Sequence, residues 1–344
     1  MEPLPHDLFA AFAADQGRGV VASLRRTFDC PDDGLAVDEP GRGRSDDVLA
    51  PPDWTSYIGQ AKAKAEMQIR MLSAERRGAA LPHTLILAGP GSGKTTLVRL
   101  VAKSAGLPMV ALKKPPKNND ALLDVMFPVV GGGILFVDEA HTWGPTMQEA
   151  LMQVTEDGEL DTSGGVVNVE RVTVICATTD PQKLLTPLRD RFGTMPEFVP
   201  YTIDEMGDII DGMLERSGIE LPPGVVGELA VATNGNPRLA RHLAEAARDL
   251  VITEMPCDAR SILAFVGVAH DGLTRNHLRY LERLSSACKH GTAGLQTIAT
   301  LLQLPLGEVR TLERLLTDRG LVAYAGAAGR SLTPAGRRRL AEAA

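Results

Sequence analysis

The sequence predicts an α/β fold in which a P-loop core on a parallel sheet is followed by a helical lid and a C-terminal winged helix. Three observations carry that prediction. A short apolar stretch, Leu85-Ile86-Leu87-Ala88, runs directly into the glycine-rich Gly89-Pro90-Gly91-Ser92-Gly93-Lys94-Thr95-Thr96. A second apolar stretch, Ile134-Leu135-Phe136-Val137, ends in the paired carboxylates Asp138-Glu139. Residues 269–344 hold 11 Lys/Arg against 6 Asp/Glu, a net of +5 in a chain whose formal charge is −7.

In chain order, residues 1–52 read as an acidic extension, with 5 basic and 10 acidic side chains. Phe28 to Pro52 is dominated by Asp, Gly and Pro, which offer too little apolar surface to offset chain entropy. Leu8–Phe12 and Val20–Leu24 are each suited to a short helix. The large domain is expected over 53–201. Its P-loop turns backbone N–H groups around phosphate oxygens, and the helix it opens, with Leu97, Val98, Leu100 and Val101, adds its N-terminal partial charge. Lys94 supplies a point charge for the β/γ-phosphates, and the Thr95 hydroxyl is a ligand for Mg²⁺. Asp138 is placed to orient the metal shell and Glu139 to polarise the attacking water. A third strand, Val172 to Ala177, ends in Thr178-Thr179-Asp180, a polar tip within reach of a γ-phosphate or water. Between the acidic strand and this one, Ser163-Gly164-Gly165 reads as a tight turn in a short ribbon.

Two arginines, Arg189 and Arg191, follow in Pro187-Leu188-Arg189-Asp190-Arg191-Phe192-Gly193. An arginine supplied to a neighbouring subunit's γ-phosphate is worth about 10³–10⁵ in turnover, and Arg191 is the first choice for that finger. The lid is expected over 202–268. Thr202-Ile203-Asp204-Glu205 fits a capping box, and Met206, Ile209, Ile210, Met213 and Leu214 follow at helical spacing. In Gly235-Asn236-Pro237-Arg238 an arginine lies in the first turn of another helix, placed to reach a nucleotide from the lid.

The final segment, 269–344, reads as three helices around Leu278-Leu281-Leu284, Leu295-Ile298-Leu301-Leu302 and Val309-Leu312-Leu315-Leu316. Gly320 stops the third, Leu321–Tyr324 and Arg330–Leu332 make a β-ribbon, and Thr333-Pro334 starts a last helix. A basic module at one end of an acidic chain suits nucleic acid, with Arg330 the candidate DNA contact and Arg337-Arg338-Arg339 open to reading as a solvated tail. The loop Lys113-Lys114-Pro115-Pro116-Lys117 reads as solvated, with contact to a DNA backbone as the sharper alternative.

Taken together, Tyr57-Ile58-Gly59-Gln60, the P-loop, Phe136 to His141, Ala177-Thr178-Thr179, Pro187 to Gly193 and Gly235 to Arg238 resemble an AAA+ ATPase, and among these the RuvB family of Holliday-junction branch-migration motors. The resemblance covers about residues 53–344. It implies an ATP- and Mg²⁺-dependent hydrolase assembled as a hexameric ring on duplex or four-way DNA. By carry-over, Tyr57 and Ile58 border the adenine, Thr179 is sensor 1, Arg191 the trans finger, and Pro237-Arg238 the sensor 2 segment. Clamp-loader subunits are the nearest alternative, since Ala177-Thr178-Thr179-Asp180-Pro181-Gln182-Lys183 is similar to theirs as well. A low-turnover switch that recruits partners is a third reading. The segment Leu160–Arg171 is several residues shorter than the family's partner-docking hairpin, which puts RuvA docking in doubt. Four scattered cysteines, Cys30, Cys176, Cys257 and Cys288, lack metal-ligand spacing, and Cys176 reads as a buried hydrophobe. No leader pattern and no membrane-length apolar run is apparent, so the expectation is a cytoplasmic protein.

Overall fold

The computed structural model describes residues 49–286, 292–324 and 329–343. The short helices expected at Leu8–Phe12 and Val20–Leu24, together with Cys30 and Cys288, lie outside these residues. Two compact units result. One holds the described residues through Glu220 together with Gly235–Arg241, and the other holds Leu221–Asn234 and the residues from His242 onward.

In the first unit, helix α1 (Ala61–Arg77) precedes β1 (Thr84–Leu87), the P-loop and α2 (Lys94–Ala105). Then come β2 (Met109–Leu112), α3 (Asn119–Met126), β3 (Gly133–Val137), α4 (Pro145–Glu156), the ribbon β4 (Glu159–Thr162) and β5 (Gly165–Asn168), β6 (Val172–Thr178) and α5 (Thr186–Asp190). The sheet order is β1-β6-β3-β2, and every pair is parallel. Residues 194–198 extend it beside β1, where the Leu85 N–H donates to the Thr194 carbonyl at 2.9 Å and the Phe198 N–H to the Leu87 carbonyl at 3.0 Å.

Both faces of the sheet are covered, which is why its strands read as apolar runs rather than alternations. Ile86, Ile134, Phe136, Ile175 and Ala177 face a core shared with Leu97, Val98 and Val101 of α2 and Met67 and Met71 of α1. Leu85, Leu135, Val137, Val174 and Cys176 face the opposite core with Met147, Leu151 and Val154 of α4. Because all strands are parallel, their C-terminal ends share one edge. The P-loop, the tip of β6 and the acidic end of β3 therefore lie in a row.

The capping box that begins α6 (Ile203–Arg216) is present: Glu205 N–H donates to Thr202 Oγ1 at 3.2 Å, and Thr202 N–H donates to Glu205 Oε2 at 2.9 Å. Helices α7 (Val225–Thr233), α8 (Pro237–Ile252) and α9 (Ala259–Val266) follow.

The second unit ends in α10 (Arg275–Ser286), β7 (Thr292–Ala293), α11 (Leu295–Leu302), α12 (Leu306–Asp318), β8 (Val322–Tyr324), β9 (Arg330–Leu332) and α13 (Pro334–Ala343). The three strands pair antiparallel in the order β7-β9-β8 over a core that includes Leu281, Leu284, Ile298, Val309 and Leu316. This is the winged-helix layout, with Thr333 Oγ1 accepting from the Gly336 N–H at 3.0 Å to cap the last helix. A Cβ on Gly336 would come within 2.2 Å of the Leu321 carbonyl oxygen, so this glycine is required for α13 to approach the sheet. Among the described residues no helix is long and apolar enough to cross a membrane.

Candidate functional site

The P-loop turns on Gly91 (φ 75°) and Gly93 (φ 91°), left-handed conformations that a side chain resists. Gly91 is also hemmed in: a Cβ there would lie 2.5 Å from Asn236 Oδ1 and 3.4 Å from Arg238 Cβ. The Gly235-Asn236-Pro237-Arg238 segment therefore sits against the phosphate loop, and Asn236 fixes it by accepting the Arg238 N–H at 3.0 Å. The sequence singled out Arg238; the asparagine that holds it in place was missed. Ser92 Oγ closes the loop on the Gly89 carbonyl at 2.7 Å, while Gly89 and Pro90 are exposed at its tip.

Lys94 is buried, and its Nζ donates to the Ala88 and Gly89 carbonyls at 3.3 and 3.1 Å. It also reaches Glu139 Oε1 at 3.4 Å. Glu139 Oε2 accepts from Thr179 Oγ1 at 3.3 Å, so the P-loop lysine and the sensor candidate meet at the carboxylate of the water-polarising candidate. Asp138 is set by its own backbone: its N–H donates to the Leu112 carbonyl at 2.8 Å, and its Oδ1 accepts the Glu139 N–H at 3.1 Å. Thr95 follows in the first turn of α2.

Beside this row is a cavity of ≈ 450 Å³ whose lining includes Tyr57, Ile58, Gly93, Thr96, Tyr201 and Pro237. Tyr57 and Ile58 among them are the residues expected to border an adenine. Tyr201, absent from the sequence reading, donates to the Ser92 carbonyl at 3.3 Å, as Tyr57 does to the Gly93 carbonyl at 3.3 Å. Burial raises the pKa of both phenols, and in Tyr57 the neighbouring Tyr201 raises it further. The aromatic pair was obscured in the sequence because its members lie far apart, one at each end of the large domain.

Arg191 directly follows α5, is exposed, and pairs with Glu156 at the C-terminal end of α4. Arg189, half-buried, is on α5 itself. Arg330, the candidate DNA contact, is held in an ion pair. Its guanidinium donates through Nε to Glu313 Oε1 and through an Nη to Oε2 at 3.2 Å, and Tyr280 donates to the same carboxylate at 3.0 Å. Glu313 is only 3% exposed, so Arg330 balances a buried charge, and its other N–H groups are what a groove could receive. Tyr324, 61% exposed, lies over the guanidinium, 5.1 Å from its ring centroid. The triple arginine is not a uniformly solvated tail either: Arg339 pairs with Asp271, and Arg337 donates to the Leu332 carbonyl at 3.3 Å. Lys113, Lys114 and Lys117 are exposed, as expected of their loop. In the ribbon, Val169 is buried and Val167 half-buried, but Val166 is 62% exposed and does not pack at the base.

Residues 49–198 match the family described as the Holliday junction DNA helicase RuvB P-loop domain, and residues 270–341 match the RuvB C-terminal winged helix domain. The RuvB subunit of the Holliday junction branch migration complex from Paracoccus denitrificans is 32% identical over 310 residues, spanning 85% of this chain and 88% of that protein. This chain belongs to the RuvB family. Among solved structures, the Thermotoga maritima RuvB Holliday junction branch migration motor superposes with a TM-score of 0.74 at 24% identity, covering 86% of this chain and 98% of that one. A point variant of the same protein gives 0.74 at 26% identity, covering 85% and 98%. The ORC2 protein of Aeropyrum pernix shares the fold alone, at a TM-score of 0.52 and 16% identity over 86% of this chain and 97% of that one. The RuvB matches extend through the winged helix, and for this reason the clamp-loader and initiator readings are not favoured.

Proposed function

We propose that this RuvB-family protein is an ATP-hydrolysing ring motor that moves duplex or four-way DNA. The observation that carries it is the convergence of Lys94, Glu139 and Thr179 at the C-terminal edge of the sheet, beside a cavity of ≈ 450 Å³, in a chain with a C-terminal winged helix. Phosphoryl transfer asks a protein for positioning and charge stabilisation, and this arrangement offers both.

The donors suit Mg²⁺·ATP. The loop turns on the left-handed glycines Gly91 and Gly93, Lys94 would leave the Gly89 carbonyl for a phosphate, and the Thr95 hydroxyl and Asp138 carboxylate are the hard oxygen ligands that Mg²⁺ takes. Bound Mg²⁺ would supply charge neutralisation on the phosphates. Tyr57, Ile58, Thr96, Tyr201 and Pro237 would enclose the base, Glu139 would orient the attacking water, and Thr179 and Arg238 would report the γ-phosphate.

Arg191, with Arg189 behind it, serves a neighbouring subunit, so the working form is a ring, with a hexamer as the family expectation. Residues 53–201 act as the ATP-binding domain, 202–268 as the lid and 269–344 as the DNA module, in a cytoplasmic setting. The ribbon is only four residue pairs long and presents less apolar surface than a longer hairpin would, so RuvA docking in the family's usual manner is not expected. ATP hydrolysis measured against duplex length tests the motor: the rate should grow with length at fixed DNA ends. Stimulation that requires a second protein and ignores length would favour a loader instead.

A further inference from the structure

Side chains alternate along the strands of the winged-helix ribbon, and one face of it turns toward the core of that module. Val322 and Leu332 oppose each other on this face and are buried. Two residues further along, the same face presents Tyr324 opposite Arg330. There the apolar core gives way to polar contacts. Arg330 pairs with Glu313, and Tyr324 lies over the guanidinium while remaining exposed.

The pair is fixed from beneath. Glu313, on α12, is buried, and its carboxylate accepts from Arg330 and from the Tyr280 hydroxyl, Tyr280 being a fully buried residue of α10. A buried carboxylate that loses its partner is costly, so the guanidinium is tied to one place. The attraction between a cation and a ring face then holds Tyr324 over it. Among the described residues of 269–344, the large apolar or aromatic side chains left exposed are Leu306 and Tyr324, and Tyr324 is the more exposed of the two. Charge decides what would cover this ring. The segment carries a net of +5, a surplus that draws an anionic partner, while Glu313 already balances Arg330. On DNA, tyrosine side chains contact phosphate and sugar, and the ring has an apolar body with a polar tip to match.

We propose that Tyr324 is a DNA-contacting residue whose ring, set in place by Arg330 and Glu313, packs against the backbone of duplex DNA. The proposal rests on the reading of residues 269–344 as the DNA module. In it the ring supplies contact rather than charge, and Glu313 is a positioning residue that acts through Arg330.

The test measures binding of the full-length protein to labelled duplex DNA over a range of salt, for Tyr324→Ala, Tyr324→Thr and Tyr324→Phe. Tyr324→Ala should weaken binding roughly 10-fold, the scale of a truncated aromatic anchor. Tyr324→Thr, which lacks the ring but suits a strand, should match it, so that the loss is not one of ribbon structure. Tyr324→Phe keeps the ring and should lose less. Because tyrosine is uncharged, all three should retain the wild-type slope of log affinity against log salt. Wild-type affinity in Tyr324→Ala, near-wild-type affinity in Tyr324→Thr, or a loss in Tyr324→Phe as large as in Tyr324→Ala would each overturn the proposal. So would a slope reduced by about one, which would place the effect on a cation. If the wild type itself has no affinity for duplex DNA, the reading of the module fails and the proposal with it.

Discussion

At the scale of single residues, the site makes opposite demands on Lys94 and Glu139, although they lie 3.4 Å apart. Glu139→Gln keeps the shape and loses the charge that polarises water. It should bind ATP with unchanged affinity and hydrolyse almost none, as read by nucleotide binding alongside phosphate release. Lys94→Ala should instead weaken binding itself; equal ATP affinity in the two variants would contradict this division. Arg191 is engaged with Glu156, but both partners are substantially exposed, and such pairs contribute only about 0–1 kcal/mol. Arg191, the proposed finger, can leave that contact at little cost. Arg191→Ala should bind ATP yet turn over about 10³-fold slower or worse. On the proposal that each interface draws its P-loop and its finger from different subunits, mixing it with Lys94→Ala should restore part of the activity. Absence of recovery in rings shown to contain both variants would remove the trans role.

At the scale of elements, what could be read in advance was whatever local chemistry dictates. β1, β3 and β6 were visible as apolar runs because both faces of the sheet are buried, and α6 and α13 through their capping residues. β2 (Met109–Leu112) was missed, since four residues at a sheet edge carry no periodic signal, and β7, with two residues, was missed for the same reason. The Tyr57–Tyr201 pair, the Asn236 contact and the Arg330–Glu313 pair all depend on residues brought together from distant parts of the chain, which no local pattern encodes. His277 is a further case, with a consequence for the winged helix. Its Nδ1 accepts the Thr274 N–H at 3.0 Å, and burial, aided by Arg319, lowers its pKa to about 4. The folded imidazole resists protonation, so below the unfolded value of 6.5 the unfolded chain binds more protons and stability falls with pH. The loss should run from about pH 6.5 down to about pH 4 and amount to about 3 kcal/mol. Thermal melts of the protein and of His277→Asn across this range should converge as pH falls; parallel curves would exclude His277 as the cause. The short ribbon gives a separate prediction. Binding to RuvA from a related bacterium should be weak, and tight binding abolished by Val166→Ser with Val167→Ser would show that the stub suffices.

At the scale of the whole molecule, the charge is divided: the winged-helix segment carries +5 within a chain of −7. DNA affinity should therefore depend on a limited basic surface and fall steeply with salt as phosphate contacts displace counterions. Affinity that is flat between low and physiological salt would point away from the DNA backbone as the main contact. The central claim is that the carboxylate-centred site at the sheet edge drives movement of DNA. The most direct measurement is branch migration of a synthetic mobile four-way junction by the full-length protein, followed as product duplexes over time with ATP. The account predicts ATP-dependent conversion by the wild type and none by Glu139→Gln, although that variant still binds both ATP and the junction. Conversion by Glu139→Gln at the wild-type rate, or ATP turnover by the wild type on the junction with no strand movement, would contradict it.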